Sequence, residues 1–262
     1  MRLTGLGILR GWGVCLSVLA LLLGGQVQAK PQPLHIAVAA NFAQPVRLIA
    51  RQFTDKYHIP TRITVASSGT LFVQITHGAP FDVFLSADAR RPQQLIEQHQ
   101  ADADSLHTYA QGQLVYLTRA SAPHSAEELS QQLLQSDSRL AMANPRLAPY
   151  GLAARQTLQT LRLWETKGPG RVLGKNVLQA VQYFRLNTVS HALVAASQRP
   201  EGEYQHFVIP ASLHEPIIQQ LVIPASAPEP ANARKFIAFV LSDSVQRQLS
   251  QWGYLCVTDE CQ

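Results

Sequence analysis

The sequence predicts an α/β fold of two lobes, each a mostly parallel sheet flanked by helices. Three observations predict it. Short apolar runs alternate with amphipathic stretches along most of the chain, the pattern of strands joined through crossover helices. The alternating units are too many for one small sheet. The chain has 262 residues, about two domains' length. A composition of 46% hydrophobic and 15% charged residues, with 15 Gly and 16 Pro, excludes a disordered, collagen-like or coiled-coil chain.

Residues 1–29 contain no acid, and Arg2 and Arg10 make their start positive. Residues 14–23 (VCLSVLALLL) are almost wholly apolar, and Gly24, Gly25 and Val27-Gln28-Ala29 follow. This is the charged, apolar, small-residue order of a secretory signal, and the apolar run is short of the ~20 residues of a membrane span. The expectation is a signal peptide over 1–29, cleaved after about Ala29; a retained N-terminal anchor is the alternative. Removing Arg2 and Arg10 lowers the net charge from +5 to +3. That charge, without a basic run interleaved with aromatics, argues against nucleic acid and is compatible with a small anion. Cys15 leaves with the signal. Cys256 and Cys261 could pair in an oxidising compartment, closing a small loop that stabilises little. With no His near them they are a poor metal site.

The elements read in order as follows. Residues 34–40 (LHIAVAA) form a buried strand, and 41–56 a helix with Phe42, Val46, Ile49, Ala50 and Phe53 at helical spacing. Residues 62–66 (RITVA) are a strand, and 68–77 a short helix stopped by Gly78. A strand at 81–87 (FDVFLSA) leads to a helix at 89–99, and 114–118 (LVYLT) is a strand. Ser125-Ala126-Glu127-Glu128 is a capping box opening the next helix. A strand at 139–143 precedes a helix at 149–164; a helix at 176–186 precedes a strand at 191–196. Strands at 206–210 and 220–223 and helices at 230–241 and 244–252 close the chain. The lobes are expected at 30–113 plus 224–262 and at 114–223, with crossings near 113–117 and 219–223 acting as a hinge.

Four places share one arrangement: Asn41, Ser67-Ser68-Gly69, Ala148-Pro149-Tyr150-Gly151 and Asn176-Val177 each lead into a helix with uncharged groups. A helix N-terminus exposes unpaired N–H groups and partial positive charge. Several aimed at one point hold an anion without a cation, and in open α/β sheets ligands lie at the carboxyl ends of strands. Taken singly, each Asn or Ser is an ordinary N-cap.

These residues carry a resemblance: Ala37-Val38-Ala39-Ala40-Asn41-Phe42, Ala66-Ser67-Ser68-Gly69-Thr70-Leu71, the run from Gly78 to Asp88 (GAPFDVFLSAD), Asn144-Pro145, and Ala148-Pro149-Tyr150-Gly151. Together they resemble the periplasmic molybdate-binding proteins of ABC transporters, from about His35 to Tyr254. The resemblance implies a two-lobed periplasmic binding-protein fold that closes on molybdate or tungstate between its lobes. It implies delivery of the anion to a membrane permease by a monomer, with no cofactor and no catalysis. It implies that Asn41 donates its side-chain amide or backbone N–H, Ser68 its hydroxyl and N–H, and Tyr150 and Val177 their backbone N–H, with Ala40 assisting. Many relatives carry a ligand-binding tyrosine in the stretch matching 191–197, where Ala195 stands here; some pair its loss with Asn at the first motif, as at Asn41.

Molybdate is a tetrahedral dianion whose oxygens only accept hydrogen bonds, so a cage of donors suits it. Monohydrogen phosphate carries a proton and needs an acceptor. Sulfate or another oxyanion such as chromate is the alternative ligand. A different class, a secreted α/β hydrolase with Ser68 as nucleophile, lacks a G-x-S-x-G elbow. Asp82 and Asp88 are expected to fix loops rather than to catalyse, and the nine His residues fall in no ligand spacing.

Overall fold

In a computed structural model, residues 32–135, 139–168, 170–200 and 202–255 are described. The expected signal at 1–29 and the Cys256 and Cys261 pair lie outside them.

The first stretch of chain builds β1 (Leu34–Ala39), α1 (Ala43–Tyr57), β2 (Thr61–Ala66), α2 (Ser68–Thr76), β3 (Val83–Leu85), α3 (Arg90–Glu97) and β4 (His107–Gly112). The second builds β5 (Leu114–Thr118), α4 (Ala126–Gln135), β6 (Leu140–Ala143), α5 (Pro149–Thr160), β7 (Arg171–Gly174), α6 (Val177–Arg185), β8 (His191–Ala195) and β9 (Gln205–Val208). The chain ends with β10 (Ile217–Val222), α7 (Pro230–Val240) and α8 (Asp243–Gln251). Two five-stranded sheets result, in the orders β2-β1-β3-β10-β4 and β7-β6-β8-β5-β9.

Local sequence explains most of this. All but one residue of β1 is buried, as its apolar run demands of a central strand. α1 buries Pro45, Val46, Ile49, Ala50 and Phe53 and ends at His58, whose φ of 55° is left-handed while its N–H caps the Thr54 carbonyl. α1 starts at Ala43, because Ala40–Phe42 form a separate 3-10 turn. Ser125 caps α4 by accepting the Glu128 N–H at 3.1 Å, and the Glu128 carboxylate accepts the His124 N–H at 2.8 Å.

As expected, the sheets are mostly parallel: β1 pairs parallel with β2 and β3, and β6 with β7 and β8, while one strand in each runs the other way, β10 antiparallel to β3 and β4, and β5 to β8 and β9. The antiparallel strands are β5, entered directly from β4 across Gln113, and β10, which returns from the second sheet. Two other expectations need correction. β10 already belongs to the first sheet, so the return has occurred by Ile217 rather than at 219–223. Strands β4 and β7 were not expected, since HTYAQG and RVLG carry no clear alternation.

Each sheet has its own core. One gathers Phe42, Phe53, Tyr109, Phe236 and Val240 around β1 and β3; the other gathers Tyr116, Met142, Leu158 and Phe184 around β6 and β8. Ala39, Ala40 and Ala87, at the carboxyl ends of first-sheet strands, pack into the second core. The two layers therefore meet at those strand ends.

Candidate functional site

The four segments expected to converge do converge, three as α-helix starts and Asn41 within the 3-10 turn that precedes α1. Ala39, Ala40, Asn41, Ser67, Ser68, Ala87, Ala148, Pro149, Tyr150, Asn176 and Val177 line one cavity of about 10 Å³. None of these side chains is charged. That is room for about one water molecule, far below the ~300–1,000 Å³ of pockets for organic solutes, so the walls must part to admit an anion. A larger cleft of about 320 Å³ adjoins it and shares Ala87 and Pro149.

Each lining group is held by its local sequence. Ser67 is the N-cap of α2, its hydroxyl accepting the Thr70 N–H at 3.2 Å. The Gly69 N–H is taken by the Leu147 carbonyl at 2.9 Å. The Ser68 N–H, first in the helix, has no partner within the helix. The Ser68 hydroxyl oxygen accepts the Ala87 N–H at 2.9 Å, which leaves its proton to donate. Pro149 opens α5 with no N–H and φ set for a helix, so the Tyr150 amide is the first N–H that helix presents. Asn176 caps α6 by accepting the Gln179 N–H at 3.1 Å, leaving the Val177 N–H at the first helical position. The helix dipoles add partial positive charge at all three places.

Asn41 is more constrained than the sequence suggests. Its side-chain Nδ2 donates to Gln219 Oε1 at 2.8 Å and to the Tyr254 hydroxyl at 3.0 Å. Both side-chain protons are thereby engaged within the protein, and the backbone N–H is the donor Asn41 has to offer. Its carbonyl accepts from Ser197 Oγ (2.9 Å), Gln198 Nε2 (2.7 Å) and Tyr254 Oη (2.9 Å). Ser197 and Gln198 follow β8, so the second sheet pins a first-sheet residue. Ala195 does not line the cavity; it is fully buried and paired with Leu114.

Sequence reasoning missed Gln219, Tyr109 and Tyr254. Gln219 is fully buried. Its Oε1 accepts from Asn41 and from the Tyr109 hydroxyl at 3.0 Å, and its Nε2 donates to the Tyr150 hydroxyl at 3.2 Å. The sole signal was a polar pair, Gln219-Gln220, inside an apolar strand. Burial pushes the Tyr109, Tyr150 and Tyr254 phenols above their usual range, so all three stay neutral at physiological pH.

Asp82 and Asp88 act on loops as expected. Asp82 accepts the His35 and Glu229 N–H groups, each at 2.7 Å; Asp88 pairs with Arg91 and accepts its N–H at 3.1 Å. Among the described residues, no three His, Cys, Asp or Glu side chains form a metal-holding group.

The profile of bacterial extracellular solute-binding proteins matches residues 34–255. A molybdate-binding protein ModA of Rhodobacter capsulatus is 34% identical over 241 residues, covering 91% of this chain and 94% of that protein. The solved structure of a periplasmic molybdate-binding protein of Azotobacter vinelandii superposes with a TM-score of 0.79 at 31% identity, covering 86% of this chain and all of that one. The sulfate-binding protein SubI of Mycobacterium tuberculosis shares the fold, with a TM-score of 0.73 at 13% identity. These are binding proteins rather than enzymes, and the match spans both sheets and every residue that lines the cavity. The chain belongs to the family of bacterial extracellular solute-binding proteins.

Proposed function

We propose that this protein captures molybdate (and tungstate) in the periplasm and hands it to an ABC permease as a monomer. One observation carries the reading: a small cavity between the two sheets is walled only by uncharged groups, with the first-turn amides of three helices at its rim. The similarity to molybdate-binding relatives supports the ligand.

The amides of Asn41, Ser68, Tyr150 and Val177 and the Ser68 hydroxyl form the cage, with Ala40 backing it. A fully ionised tetrahedral anion can accept from every one of them. Neutral donors in a closed, low-dielectric space hold a dianion without burying a counter-charge. Molybdate and tungstate share their size, whereas sulfate has shorter bonds and reaches fewer donors at once. A protonated phosphate finds no acceptor among the lining side chains aimed at its hydroxyl.

The first lobe carries β1–β4, β10, α7 and α8, and the second carries β5–β9. The two crossings, at Gln113 and between Val208 and Ile217, form the hinge on which the lobes close. Closure brings the Tyr150 and Val177 amides onto an anion already resting on Asn41 and Ser68. The segment 1–29 directs export and is removed after about Ala29.

The test is a thermal shift of the exported protein, unfolded and refolded to strip carried-over anion, against molybdate, tungstate, sulfate and phosphate. A ligand at 100 times its Kd stabilises by about 2.7 kcal/mol. Stabilisation by molybdate and tungstate alone supports the reading. Stabilisation by sulfate alone keeps the cage and changes its ligand, and no shift with any anion refutes it.

A further inference from the structure

We infer that Gln219 is a positioning residue that sets anion affinity, by tying a cavity residue of each lobe to one buried amide. The inference rests on the oxyanion reading above. Asn41 lies on the first sheet's side of the cavity and Tyr150 at the start of α5 on the second. Both residues line the cavity, and their side chains meet at Gln219.

The chemistry of that meeting is directional. Gln219 has one accepting end and one donating end. The accepting end takes Asn41 Nδ2 at 2.8 Å and the Tyr109 hydroxyl at 3.0 Å; the donating end reaches Tyr150 Oη at 3.2 Å. Asn41 is also held by Tyr254, and the single Tyr109 hydroxyl proton is shared between Gln219 Oε1 and the Ser86 carbonyl. The Tyr150 hydroxyl accepts from Gln219. The Gln219–Tyr150 contact thus spans the two sheets and forms only when α5 sits against β10.

Two backbone features make room for it. The register of β10 against β4 shifts between Gln219 and Gln220, a bulge of the kind that re-aims a side chain. Gly112, at the end of β4, leaves the space in which the two groups meet: a Cβ there would overlap Tyr150 Oη and lie 2.8 Å from Gln219 Nε2. A contact made only in the closed form lowers the free energy of closure, and affinity scales with the closed population.

The experiment measures molybdate Kd by calorimetric titration, with the melting temperature of the ligand-free protein, for the wild type, Gln219→Met, Tyr150→Phe, the double variant and Gly112→Ala. Tyr150→Phe keeps the backbone amide and removes only the hydroxyl. Tyr150→Phe loses one net hydrogen bond and is expected to bind about two- to tenfold more weakly; Gln219→Met, which also gives up its contacts with Asn41 and Tyr109, is expected to lose at least as much. The double variant is expected to be no weaker than the weaker single variant, the non-additivity of two partners in one contact. Gly112→Ala, which touches neither side chain covalently, weakens binding in the same range. A merely structural role would lower the melting temperatures and leave Kd of the folded protein unchanged, which overturns the inference; so do losses that add fully in the double variant. If Gln219→Met does not fold, Tyr150→Phe and Gly112→Ala decide by the same criterion. Absence of binding by the wild type overturns the oxyanion reading and this inference together.

Discussion

The amide of Gly69 donates to the carbonyl of Leu147 at 2.9 Å, and a Cβ on Gly69 would sit 2.8 Å from that same oxygen. Gly69 lies in the first turn of α2, beside the first sheet. Leu147 lies in the loop before α5, beside the second. The two backbones therefore touch beside the cavity, at a distance that admits no side chain.

Gly69→Ala accordingly acts on the closed arrangement. Overpacking costs about 1–3 kcal/mol, while Ala within a helix gains up to about 1 kcal/mol over Gly. The expected outcome is a raised molybdate Kd with no fall in the ligand-free melting temperature. Titration calorimetry beside a melting curve checks both.

Ser68→Ala removes a donor from the cage and an acceptor from Ala87. Binding should weaken by about 1.5–3 kcal/mol, the scale of a hydrogen bond to a charged group. The ligand-free protein should also lose about 1–3 kcal/mol, because the Ala87 N–H is left buried without its acceptor. Urea denaturation with and without molybdate separates the two effects.

Much of this site was legible because its information is local. The LHIAVA run specifies β1, and the residues at its end, Ala40 and Asn41, have no choice but to reach the cavity. Ser67 and Asn176 announce their helix starts by being caps. Contributions from afar were not legible. Gln219 meets Asn41 across 178 residues and Tyr109 across 110, and no spacing rule links such positions. The same limit hid the antiparallel course of β10, since a strand's direction depends on where the chain returns from. The sequence left open whether Asn41 offers its side-chain amide or its backbone N–H; Gln219 and Tyr254, buried beside it, take the side-chain amide.

Asp82 is buried to 1% exposure and holds two backbone amides, of His35 and Glu229, that join β1 to the start of α7. Asp82→Ala should destabilise by about 1–3 kcal/mol for each donor left unpaired. Molybdate Kd in the folded protein should change little. Loss of binding at unchanged stability would speak against the loop-fixing role.

Stability should fall as the pH drops below about 6.5. Burial, helped by Lys167, lowers the pKa of His191 from 6.5; burial and Arg62 lower that of His35, and burial and Arg199 that of His206. The unfolded chain takes up protons first, so stability is full above the unfolded pKa and is lost as pH falls from there toward the folded values. His191→Asn, which also removes a 2.6 Å contact with the Tyr116 hydroxyl, should lower stability at neutral pH and flatten the slope between pH 5.5 and 6.5. Denaturant midpoints at several pH values give the slope.

The most direct test of the account is a crystal of the molybdate-soaked protein, with the metal located by its anomalous scattering. The account predicts one site between the two sheets, its oxygens within hydrogen-bond reach of the Asn41, Ser68, Tyr150 and Val177 amides. A molybdenum position held instead by Arg146, Arg155 and Arg171, which line a separate surface pocket, or no bound molybdenum at all, would contradict it.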